Sequence, residues 1–185
     1  MLRRVFSKIA KHWYLYLIWI ILVILTWDMV FAFLTKVPKE EKVEIFVGEL
    51  DDDWDKLEQL CKDNMPKYLK KVNIRRYTTS QMQFSEMLQI QGSVADLFIL
   101  PESKVEEAKM YYLPLDTEKV QDTFGDVVFY ELEENILGIK INCGETTEDY
   151  YLVFSNISMH LGEWNDSDME GALEFAEVIL NYEDE

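Results

Sequence analysis

ADLFIL, residues 95–100, is nearly continuous in apolar side chains, and Pro101 stops it. A six-residue apolar run bounded by a breaker reads as a strand buried on both faces. Working outward, VEIFVG at 43–48 is a second such run closed by Gly48, and KVNIRRY at 71–77 is a third, more polar one. Helical patterns separate them. Trp54, Leu57, Leu60 and Cys61 fall at helical spacing behind Asp51, Asp52 and Asp53, acids that suit a helix N-terminus, and Pro66 follows. Thr79 or Ser80 is placed to cap a helix carrying Met82, Phe84, Met87, Leu88 and Ile90, closed by Gly92. Ser103 is placed to open a short helix with Val105, Ala108 and Met110. Strands alternating with helices of this length predict a single three-layer α/β domain, its sheet mainly parallel with some antiparallel pairing.

The second half is less regular. Residues 126–133 and 135–142 read as two strands joined near Glu133, Glu134 and Asn135, a hairpin, and YYLVFS at 150–155 is a further strand. Asp168 is placed to cap a final helix with Met169, Ala172, Leu173, Phe175, Ala176, Ile179 and Leu180 on its apolar positions.

Further out, toward the N-terminus, residues 14–34 read YLYLIWIILVILTWDMVFAFL, with one charge. As a helix this segment spans about 31 Å, the thickness of a bilayer's hydrocarbon core. Trp13, Tyr14 and Tyr16 at one end and Trp27 near the other suit an aromatic belt. Arg3, Arg4, Lys8 and Lys11 precede it without an acid, which predicts a cytoplasmic N-terminus and an extracytoplasmic C-terminal domain. The run is longer than a signal peptide's apolar region and no small-x-small site follows it, so a retained single-pass anchor in the cell membrane is expected. Asp28, the lone acid, lies within two turns of the outer end and is expected to reach interfacial water rather than a partner's helix. The chain thus divides into a basic tail (1–13), a transmembrane helix (14–34), a charged linker (35–42, TKVPKEEK) and one domain (43–182).

From Thr35 onward 14 Lys and Arg face 34 Asp and Glu. So acidic a surface repels nucleic acid and anionic headgroups, which argues against a nucleic-acid partner. The two cysteines, Cys61 and Cys143, both fall in the domain. An exported location permits a disulfide between them, while two separate buried thiols are the default expectation.

The ordered set VEIFVG, KKVNIRRY, SVADLFILPES, LPLD (113–116), NILGIKI (135–141) and YYLVFS followed by ALEFAEVIL resembles the extracellular solute-binding proteins of ABC importers, the sugar-binding type. The resemblance covers about 140 residues and implies one lobe of a periplasmic-binding-protein fold. It departs from the family where residues 143–149 join two strands directly, at the place where the family inserts a second lobe. The transmembrane helix likewise stands where the family carries a lipid anchor. The resemblance further implies that residues 49–53 and Pro101–Glu102 border a former ligand cleft. Glu49, Asp52, Asp53, Trp54, Pro101 and Glu102, with Trp164 in the last connector, are therefore the expected ligand or partner contacts. For both tryptophans, partly buried packing is the competing reading.

Catalytic and cofactor signatures are missing from the sequence. His160 is the one histidine in the domain, no G-x-S-x-G is present, and His160 is expected to be a surface connector residue. No zinc spacing occurs. An EF-hand beginning at Asp51 would need Gly at Lys56 and Glu at Lys62, so the acidic run is read as helix-terminal. No enzyme, metal or cofactor is expected. The expectation is a membrane-anchored binding or interaction module acting through a membrane protein, such as an ABC permease or related transport component. A sensor or weak sugar-binding domain for a small solute is the alternative.

Overall fold

The computed structural model describes residues 13–48, 54–78, 81–132, 135–142 and 148–181. The chain forms two units, Met1–Val37 and Pro38–Glu185. In the first, α1 (Trp13–Thr35) is 23 residues long and has no buried residue. A helix apolar on every side has no face to turn toward water, and α1 is long and apolar enough to cross a membrane. The hydroxyls of Thr26 and Thr35 donate to the carbonyls of Leu22 and Phe31, one turn back, at 2.7 and 2.8 Å.

The second unit is a three-layer α/β domain. Its strands are β1 (Lys42–Gly48), β2 (Lys71–Tyr77), β3 (Leu97–Pro101), β4 (Phe129–Leu132), β5 (Asn135–Ile141) and β6 (Tyr150–Phe154), and the sheet order is β2-β1-β3-β6-β5-β4. β1 pairs in parallel with β2 and β3. The pairs β3–β6, β6–β5 and β5–β4 are antiparallel. The sheet is therefore mixed: β1, β2, β3 and β5 run one way and β4 and β6 the other. Antiparallel pairing takes a larger share than expected, because β6 returns between β3 and β5 and reverses both neighbouring contacts. The hairpin of β4 and β5 forms; residues 133–134 of its turn lie outside the described residues.

Period-two alternation sends each strand's side chains to two separate cores. Val43, Ile45, Val47, Leu97, Ile99, Leu152 and Phe154 face one side, covered by α2 (Trp54–Asp63), α5 (Thr117–Phe124) and α6 (Gly171–Leu180). Phe46, Phe98, Leu100, Leu137 and Val153 face the other, covered by α3 (Gln81–Gly92), the short helix α4 (Glu102–Val105) and the 3-10 turn after it. Each fully buried Phe or Leu contributes about 1.5–3 kcal/mol. In β5 the register slips opposite Tyr130 and Glu131. The bulge lets Ile136 and Ile139 enter one core while Leu137 enters the other.

Two helix starts differ from expectation. α4 begins at Glu102 with Pro101 before it, not at Ser103. α6 begins at Gly171 after Glu170 with no side-chain cap, not at Asp168. The Ala172 amide donates to the His160 carbonyl at 2.9 Å, so a distant connector does the work of the cap. The helix α5 was not anticipated; Asp116 caps it by accepting from the Glu118 amide at 2.9 Å.

Candidate functional site

In an open α/β sheet, ligands bind outside the carboxyl ends of the strands, where the strand order reverses. In β2-β1-β3 the chain steps outward from β1 to β2 and then returns across β1 to β3. The reversal thus lies between the carboxyl ends of β1 and β3, at Gly48 and Pro101. These ends approach closely: a Cβ on Gly48 would lie 3.0 Å from Pro101 Cδ, which favours glycine there.

Of the expected site residues, Pro101 and Glu102 sit at this edge, Pro101 buried and Glu102 exposed. Glu49, Asp52, Asp53 and the Trp54 side chain fall outside the described residues; the Trp54 backbone opens α2. The Glu102 amide donates to the Asp149 carbonyl at 2.8 Å, tying β3's end to the start of β6. Lys140 donates to the Asp149 carboxylate at 2.6 Å, and that hydrogen bond pushes its ammonium pKa up. The rings of Tyr130 and Tyr151 meet edge-on at 5.1 Å. Burial, then Glu106 and Glu102, pushes the Tyr130 phenol up; burial, then Glu102 and Asp149, does the same at Tyr151. Together these side chains make an electronegative edge of carboxylates and phenols with one ammonium. Neighbouring it, Phe124, Lys140, Asn142, Asp149, Tyr150 and Asn181 line an open hollow of about 490 Å³.

Trp164 is not brought to this edge. Its ring meets Phe154 at a tilt of 53° and 5.1 Å, and meets Phe124 edge-on at 5.6 Å. Phe154 pairs with Leu97, at the opposite end of β3 from Pro101. Trp164 is half-buried, and its exposed part lines a second hollow of about 360 Å³ between α5 and α6.

The amino ends of the strands hold a buried polar network. Asp96 accepts from the Glu44 amide at 2.8 Å and from the Ser158 hydroxyl at 2.6 Å. The His160 amide donates to Ser158 Oγ at 3.1 Å, and His160 Nε2 lies 3.0 Å from the Lys39 carbonyl. His160 is 1% exposed, so it is not the surface connector residue expected; its ring anchors the turn before β1. The imidazole faces Lys39 rather than Ser158, and Ser158 is bonded to Asp96 directly, so these three residues form no nucleophile–base relay. The network is missed by sequence reasoning because Asp96 stands in a plain apolar run, and only the fold brings it to Ser158.

Cys61 is a free, fully buried thiol on α2, and burial, then Glu58, pushes its pKa up to about 12. Cys143 lies outside the described residues. Among the described residues no group of three His, Cys, Asp or Glu could hold a metal ion.

No family model matches the sequence. No curated protein matches it either.

Proposed function

We propose that the chain is a single-pass protein of the cell membrane, cytoplasmic at its N-terminus, whose extracytoplasmic α/β domain is an interaction module for a membrane protein partner. A transporter permease or related transport component is the partner in view. The observation that carries the reading is the pairing of a 23-residue apolar helix with one domain whose surface hollows are open to solvent. A related solute-binding protein would trap its ligand between two lobes. Here β5 and β6 are sheet neighbours joined by residues 142–149, and that supports a derivation from a single lobe. Cross-linking in membranes followed by purification through this chain should recover one transport subunit reproducibly; recovery of no reproducible partner refutes the reading. Protease should cleave the domain in spheroplasts from outside, and protection would overturn the orientation.

The open hollow beside Lys140 and Asp149 favours a second reading, weak capture of a small polar solute such as a sugar. It predicts saturable thermal stabilisation of the purified protein by that solute. A screen of sugars and oligosaccharides without any shift argues against it.

A further inference from the structure

α6 carries a stripe of charge that its own fold leaves unneutralised. Glu170, at the N-cap, and Leu173, Glu174 and Glu177 within the helix recur at i, i+3, i+4 and i+7, so they share one face, opposite buried Ala172, Phe175, Ala176 and Ile179. Like charges at these spacings destabilise a helix, and no basic residue stands in the last turn to offset them. Asp122 on α5 and Glu163 in the connector face the same hollow, with Lys119 as the one cation on its rim. Glu174 accepts from the Tyr68 hydroxyl at 3.2 Å. That phenol is pushed up to about 12 by burial, then by Glu174 and Glu170, a sign of how negative this surface is. The half-buried Trp164 indole lies along the groove, held from behind by Phe124 and Phe154.

We propose that this groove between α5 and α6 is the docking surface for a basic, extended segment of the partner protein. One arginine or lysine lies over the Trp164 indole, and its neighbours meet the α6 carboxylates. The proposal deepens the interaction-module reading and rests on it. Charge complementarity selects the occupant, and the aromatic face adds a cation–π contact that an acidic surface alone lacks. Spacing selects its conformation. Side chains three or four apart on a helix stand about 5–6 Å apart. Alternate side chains of an extended chain stand roughly 6.6 Å apart. An R-x-R-x-R strand therefore presents its cations nearly in step with Glu170, Glu174 and Glu177.

The probe is a fluorescent octapeptide with arginine at alternate positions and glycine between, titrated against the full chain in zwitterionic nanodiscs. Glu170→Gln, Glu174→Gln and Glu177→Gln together should weaken binding about tenfold. Removing three exposed carboxylates on other elements (Glu40→Gln, Glu86→Gln, Glu131→Gln) should weaken it less than about threefold. Peptide should also perturb an indole emission component that Trp164→Phe abolishes. Equal losses in both triple variants would show only the diffuse field of an acidic domain and overturn the proposal, as would binding that leaves the Trp164 signal unmoved. A photoreactive residue at Thr123, in the groove, and another at Ser103, on the carboxyl edge, separate the two levels of the argument. A partner captured from Thr123 through a basic segment supports the groove. Capture from Ser103 alone overturns the groove and leaves the interaction module standing, whereas capture from neither site removes the module. Capture of a second copy of this chain from Thr123 assigns the groove to self-association and overturns the proposal.

Discussion

Replacing Asp96 by alanine should cost about 3 kcal/mol of stability, and replacing it by asparagine about 1 kcal/mol. Asp96 is 7% exposed, and its two oxygens satisfy two buried donors, the Glu44 amide and the Ser158 hydroxyl. Alanine orphans both, at about 1–3 kcal/mol each. Part of that loss is offset, because a buried carboxylate is itself costly. Burial indeed pushes the Asp96 pKa above the ordinary carboxylate value, against the pull of Ser158, the Glu44 amide and His160. Asparagine keeps one oxygen for the Glu44 amide, and its NH₂ donates to Ser158 Oγ, whose own proton then needs a new acceptor. For a domain of this size 1 kcal/mol moves Tm by about 2–4 °C, so alanine should lower Tm by about 6–12 °C. Urea denaturation of the purified protein, followed by circular dichroism at pH 7, measures the free energies. The pH dependence provides an independent sign. A raised carboxyl binds a proton in the folded state that the unfolded chain has already lost. Asp96 therefore makes stability fall as pH rises from the ordinary carboxylate value through its raised one, and Asp96→Asn should remove that part of the slope. Alanine and asparagine variants equal within 0.5 kcal/mol, roughly the experimental error on such differences, would refute the assignment of the two hydrogen bonds.

The Cys61 thiol, fully buried and pushed up to about 12, should resist iodoacetamide at pH 8 in the native protein and react on unfolding; rapid native labelling at Cys61 would contradict its burial. Gly138→Ala should cost about 1–3 kcal/mol, since the new Cβ would lie 3.0 Å from the Leu152 carbonyl oxygen across the β5–β6 pair, and an unchanged urea midpoint would contradict that contact. Glu174→Gln should remove two like-charge spacings on α6 at the cost of one exposed hydrogen bond, leaving thermal stability within about 0.5 kcal/mol of the parent or above it; a marked loss would show that the Tyr68 contact dominates. Replacing α1 by a cleavable soluble tag should move the domain from the membrane pellet to the supernatant in folded form, because both cores lie wholly within Pro38–Glu185.

The elements that were legible in the sequence are those whose signal is local. α1 is a run of apolar residues long enough to exclude any half-exposed helix, and only a bilayer or a protein core removes that much surface from water. β1 and β3 read as central strands because burial on both faces demands apolar residues at every position, and all but Lys42, Glu44 and Gly48 comply. β2, at the sheet edge, showed its half-exposure in its three cations. α5 was not legible: Val120 is its one fully buried residue, and with Phe124 it makes a stripe too thin to stand out, although Asp116 was a cap in plain view. The α6 boundary was misread at Asp168 because the group that satisfies the Ala172 amide in the helix's first turn is the His160 carbonyl, which sequence proximity does not reveal. The same holds for both candidate surfaces. Carboxylates could be counted from composition, yet their gathering around Trp164, and the removal of Trp164 from the edge of Pro101 and Glu102, follow from the antiparallel return of β6. That strand carries its connector to the amino end of β3, and pairing between distant strands is a long-range choice that no local pattern encodes.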